Sequence, residues 1–215
     1  MAIPATAKNS TPRELIPAGN YVARCYKMVH IGTVNEEFQG KPIVKNLVRF
    51  SWELPTELRV YKEEKGEQPC SIDKEYTLSL ADKANLRRDL KSWRGKDFTP
   101  IESENFDVIK LLGVACMLNI VHIPSKKDPT KVYENIASIS PLPKGFECPK
   151  QINETFVFEH ENYDQGKFDL LPQFITDKIK LSNEYKQRFG GVQIETHPSA
   201  VDAYESKTDD DDLAF

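Results

Sequence analysis

The sequence predicts a mainly β fold: a five-stranded Greek-key barrel with one helix between strands 3 and 4, followed by a C-terminal extension containing a helix. Three observations carry this. Apolar residues alternate with polar ones in two segments near the N-terminus. One short segment, around residues 82–95, switches to helical spacing. Two further apolar runs, at 111–123 and 132–140, flank a basic loop.

The chain has 215 residues, with 39% hydrophobic and 29% charged content. Four parts are expected: a loose arm at 1–18, a barrel domain at 19–140, an extension at 141–191 and a disordered acidic tail at 192–215. Tyr21 to Ile31 reads as the first strand, with Tyr21, Ala23, Cys25, Val29 and Ile31 on one face. Arg24, Tyr26, Met28 and His30 fall on the other. A loop from Gly32 to Pro42 leads to the second strand. There Val44, Val48, Phe50, Trp52 and Leu54 face inward, and Lys45, Leu47, Arg49, Ser51 and Glu53 outward. Pro55 is expected to end it, with a charged loop over 55–71 and a third strand from Asp73 to Leu80.

Asp82 is the expected N-cap of the helix. Leu86, Leu90 and Trp93 form its apolar stripe, and Gly95 suits its C-terminal end. Leu111–Ile123 and Val132–Ser140 complete the strands. Strand, strand, strand, helix, strand, strand is the OB-type arrangement, whose common ligands are oligonucleotides and oligosaccharides. In the extension, Thr155–Glu159 reads as a short strand. Pro172 opens a helix with Phe174, Ile175 and Ile179 on one face, continued by Ser182–Phe189 and ended by Gly190-Gly191.

Charge is distributed unevenly. The formal net charge is -4, but the segment from Val201 to Phe215 alone carries -5, which leaves +1 on residues 1–200. No apolar run approaches a membrane span, and no signal-peptide core is visible, so a cytoplasmic protein is expected. The four cysteines and four histidines lack metal-ligand spacing. There is no P-loop, dinucleotide fingerprint or H-E-x-x-H. No cofactor, metal or catalytic residue is therefore expected. A metal-dependent site would need converging carboxylates such as Glu159, Glu161, Asp164 and Asp169, and their spacing does not single them out.

Single-strand binders combine cations that track phosphates with aromatic faces on which bases stack. Four groups of residues fit that chemistry. Arg24, Tyr26, Lys45 and Arg49 are expected on the outward face of the first two strands. Lys41 sits in the first loop. Lys126, Lys127 and Lys131 with Tyr133 belong to the loop between the last two strands. Arg94 follows Trp93, itself read as a core plug. A further feature is the end of the chain, Asp209, Asp210, Asp211, Asp212, Leu213, Ala214 and Phe215: an aromatic end for a partner's basic pocket, or for the chain's own DNA groove.

That tail resembles the C-termini of bacterial and phage single-stranded DNA-binding proteins. The segments Ile16–Arg24, Ile31-Gly32-Thr33, Trp52–Pro55 and Leu90–Lys96 resemble phage-encoded replication-associated proteins of the same kind. The resemblance covers about residues 15–140 and the tail. It implies an OB fold, sequence-independent cover of single strands, and a tail that recruits replication or recombination partners. A homo-oligomer is compatible with the sequence. A non-DNA interaction module, using the tail as a DNA mimic, is the competing reading.

Overall fold

The computed structural model describes residues 14–38, 40–125 and 128–190. Its frame is a six-stranded, largely antiparallel sheet in the order β3-β2-β1-β4-β5, with a short β6 added to β1. The strands are β1 (Gly19–Phe38), β2 (Lys41–Val60), β3 (Glu67–Thr77), β4 (Ala115–Pro124), β5 (Val132–Ser140) and β6 (Phe156–Phe158). The helices are α1 (Asn85–Arg94), α2 (Pro100–Glu104), α3 (Gln165–Asp169), α4 (Gln173–Lys180) and α5 (Asn183–Phe189). The ladder is open, ending at β3 on one side and β5 on the other.

The long strands β1 and β2 correct the expected boundaries. β1 continues past Ile31 to Phe38, and β2 passes through Pro55. Pro55 is tolerated because the β2–β3 register jumps from Leu54↔Cys70 to Leu58↔Pro69, so its missing N–H falls where the ladder is interrupted. The 55–71 loop shrinks to a turn, and β3 starts at Glu67 and stops at Thr77. β5 occupies the expected Val132–Ser140.

β1 carries two bulges, between Cys25 and Lys27 and between His30 and Gly32. The first inserts Tyr26 and shifts the alternation by one residue. Met28, expected outside, is therefore buried beside Ala23 and Cys25, while Val29 and Ile31 turn to the opposite face.

The main core lies on the inner face. Val48, Phe50, Trp52 and Leu54 of β2 meet Ile72 and Tyr76 of β3, Cys116, Leu118 and Ile120 of β4, and Ile136 and Ile139 of β5. Leu86, Leu90 and Trp93 of α1 pack into it as the stripe predicts. The Trp93 ring lies 5.9 Å from Trp52, and its Nε1 donates to Ala115 O at 3.0 Å. Gly95 ends the helix at φ 68, as expected, whereas the N-cap is Ala84. Asp82 instead pairs with Arg87 at 2.9 Å.

Ile16, placed by sequence in the loose arm, is a buried member of this core. Its N–H donates to Glu134 Oε1, its carbonyl lies 2.7 Å from His122 Nε2, and Arg59 donates to the carbonyls of Glu14 and Leu15. The backbone of residues 14–16 is thus clipped to β2, β4 and β5 at once.

A second core sits on the outward face. Val29, Ile31 and Val34 of β1 and Leu47 of β2 pack with Phe158, Phe168, Leu171, Ile175 and Ile179 of the extension. α5 is a helix of its own rather than a continuation of α4, because Ser182 caps it by accepting from Tyr185 N at 3.2 Å. Of the expected α4 face, Ile175 and Ile179 are buried and Phe174 is largely exposed.

Candidate nucleic-acid interface

The sequence places the outward face of the first two strands in solvent, but the structure covers the outward side of β1, β2 and β3. That side is roofed by residues 148–189. β6 joins β1 in parallel, pairing Lys27, Met28 and Val29 with Phe156, Val157 and Phe158. Glu53, fully buried in the middle of β2, accepts hydrogen bonds from Ile152 N at 2.7 Å and from Asn153 N and Nδ2, each at 2.8 Å. Lys178 of α4 pairs with the buried Glu75 of β3.

The far end of the roof is seated on the second bulge. Glu184 of α5 takes the N–H and the hydroxyl of Thr33, each at 2.7 Å. Burial opposes charge on Glu184, but these bonds outweigh it and hold its carboxyl below the usual range. His160 lies 3.0 Å from Ile31 O, so its Nε2 carries the proton that the carbonyl accepts. Burial depresses the His160 pKa, which keeps the ring neutral.

The expected DNA contacts on this face are engaged within the protein. Arg24 donates to the carbonyls of Gly113, Cys148 and Pro149. Arg49 is only 2% exposed, pairs with Asp73 at 3.0 Å and lies 5.4 Å from the Phe174 ring. Tyr26 is half-buried, and burial followed by the Asp73 charge raises its pKa to about 12. Lys45 pairs with Glu36 at 3.1 Å. The expectation of an open strand face is thus corrected: Arg24 and Arg49 contact the extension, and Lys45 pairs with Glu36 of the neighbouring strand.

The other expected contacts lie away from this face or outside the described residues. Arg94 pairs with Glu102 at 2.6 Å and lies over the rings of Phe98 and Phe106, at 4.2 and 5.1 Å. Lys41 is exposed at the β1–β2 turn. Lys131 is exposed, 3.8 Å from Asp128, and Tyr133 is half-buried opposite Ile123. Lys126 and Lys127 lie outside the described residues, as do Asp209 to Asp212, Leu213 and Phe215 of the tail.

Sequence reasoning missed Glu53, Asn153, His160, Glu184 and Gly32 as the residues that fix the roof. Leu47 among the outward residues of β2 and the apolar face of Ile175 and Ile179 were the signals available.

The four carboxylates that a metal-dependent site would need have local tasks or stand apart. Asp164 caps α3 through Lys167 N, Glu159 accepts from Asn162, Asp169 accepts from Gln165, and Glu161 is exposed. Among the described residues no cluster of three or more His, Cys, Asp or Glu could hold a metal ion. Cys25, Cys70, Cys116 and Cys148 are free thiols. Among the described residues no helix is long and apolar enough to cross a membrane. Comparisons with protein-family models, curated proteins and solved structures found no match to this chain.

Proposed function

We propose that this chain binds single-stranded DNA without strong sequence preference during phage DNA replication or recombination. In this reading it is not an enzyme, and its acidic C-terminal segment recruits partner proteins and competes for the DNA site. The observation that carries it is the strand order β3-β2-β1-β4-β5 with α1 falling between β3 and β4. Joining β3 to β5 would make this the closed order of an OB barrel, a common oligonucleotide-binding fold. Lys74 of β3 supports that closure: its Nζ donates to Ile136 O of β5 at 3.1 Å and pairs with Asp89 of α1 at 3.0 Å. The uneven charge adds to it, since the acidity that would repel DNA is concentrated in the last fifteen residues.

The test is a titration of end-labelled oligo-dT, read by anisotropy at two salt concentrations. Trp52 and Trp93 are both buried, so their fluorescence is a poor reporter. The chain should bind, with an affinity that falls steeply as salt rises. Changing Asp209, Asp210, Asp211 and Asp212 to Asn should strengthen binding or leave it unchanged. If this neutralised chain fails to bind at low salt, the reading is wrong; weaker binding on neutralisation would remove the role given to the tail.

A second reading is an assembly or inhibitor protein that uses the acidic tail as a DNA mimic. It is favoured by the engagement of Arg24, Lys45, Arg49 and Arg94 inside the fold. The same titration separates the two readings.

A further inference from the structure

The roof over β1–β3 raises the question of where a strand of phosphates would lie, and the exposure of the ion pairs distinguishes the candidate cations. A buried pair such as Arg49–Asp73 loses more from separation than an incoming phosphate returns. An exposed pair is worth about 0–1 kcal/mol, so a phosphodiester can replace its acid readily. The segment 83–97 carries six cations (Lys83, Arg87, Arg88, Lys91, Arg94 and Lys96) against Asp89 and Asp97. Arg88, Lys91 and Lys96 each leave more than half of the side chain exposed. So does Lys131 of the β4–β5 hairpin.

α1 packs on β5. Asp89 reaches the level of Ile136 through Lys74, and Ser92 Oγ donates to Ile139 O. Both contacts advance together, so α1 runs in the direction of β5 and its N-terminal end points toward the β4–β5 hairpin. The open face of α1 and the hairpin therefore line one side of the molecule, away from the roof. Lys131 lies five residues before Ile136, roughly 16 Å along the strand.

We propose that single-stranded DNA runs along the solvent face of α1 and onto the β4–β5 hairpin, its phosphates held by Arg88, Lys91, Lys96 and Lys131, while the β1–β3 face stays closed. The inference rests on the single-strand-binding reading. Asp89, 3.2 Å from Arg88, is buried and stays with Lys74; the other acids on this side are exchangeable partners. Asp97 bonds Lys91 at 2.8 Å and Arg87 at 3.3 Å, Glu102 lies 3.5 Å from Lys96, and Asp128 lies 3.8 Å from Lys131. The Lys91 hydrogen bond leads in holding Asp97 at about 2, and the Thr99 amide leads in holding Glu102 at about 2. When DNA displaces their lysines both acids keep a backbone donor, Phe98 N–H for Asp97 and Thr99 N–H for Glu102.

The experiment compares the full chain with its Arg88→Glu, Lys91→Glu, Lys131→Glu triple variant in the oligo-dT titration. Each lost phosphate contact on a single strand takes about 0.7 from the slope of log K against log salt, so the triple variant should lose about 2. Its affinity at low salt should fall by at least about tenfold. Lys62→Glu with Lys65→Glu, on the β2–β3 turn, should leave the slope unchanged. If the triple variant does not melt like the parent, Arg88→Gln, Lys91→Gln and Lys131→Gln made singly carry the test, each expected to take about 0.7 from the slope. A parent that binds and variants that keep its slope overturn this placement alone. A parent that does not bind overturns the function with it.

Discussion

Gly32→Ala is expected to destabilise the protein by roughly 3 kcal/mol or more, the sum of a strained backbone and a blocked contact. Gly32 sits at the second β1 bulge with φ +99, a conformation that side chains with a Cβ rarely adopt. A methyl group there would lie 2.6 Å from Glu184 Oε2, 2.7 Å from His160 Nε2 and 2.8 Å from Ser182 Cβ. These three residues are the seat of α5 and the end of the roof. None can withdraw cheaply: Glu184 holds both polar groups of Thr33, His160 holds Ile31 O, and Ser182 caps α5. Urea unfolding measures the loss directly. A change under about 0.5 kcal/mol, the range of an ordinary surface substitution, would mean that α5 does not rest on this bulge.

Glu53→Ala should cost a similar amount, roughly 3 kcal/mol or more, for a different reason. The side chain is fully buried and accepts three hydrogen bonds from Ile152 and Asn153. Deleting it removes the acceptor of two backbone N–H groups and leaves a cavity beneath residues 152–153. Glu53→Gln should fall between Ala and the parent, since one oxygen still accepts while the new NH₂ faces donors. The check is the urea midpoint together with amide exchange at Ile152 and Asn153, which should quicken in both variants. An unchanged midpoint for Glu53→Ala would contradict the packing of residues 152–153 onto β2.

Parts of this architecture are legible in the sequence because their signals are local. Leu86, Leu90, Trp93 and Gly95 define α1 within ten residues, and α1 forms there. β5 is bracketed by Asp128-Pro129 and Pro141, and its limits match. The inner face of β2 from Val48 to Leu54 alternates cleanly and is buried. The failures are equally physical. Period two cannot register an inserted residue, so the bulge at Tyr26 put Met28 on the wrong face. Pro55 reads as a stop because the register jump that accommodates it belongs to β3 as much as to β2.

The roof was the least legible part. Its contacts join residues about a hundred or more positions apart, as in Glu53 with Asn153 and Thr33 with Glu184. Arg24, Lys45 and Arg49 look like surface cations until their partners are known. The helix face of Ile175 and Ile179 was readable, but not the sheet face that receives it. For the same reason the sequence did not show that Arg24, Lys45 and Arg49 are engaged within the fold, whereas Lys131 of the β4–β5 hairpin, also expected to face DNA, is exposed.

Hydrogen exchange of the full chain with and without saturating oligo-dT tests this account most directly, because it reports on both faces at once. The account predicts added protection over residues 85–94 and 124–132, with no loosening over 148–189. No change anywhere, or protection along β1 and β2 with faster exchange in β6 and α3–α5, would contradict it.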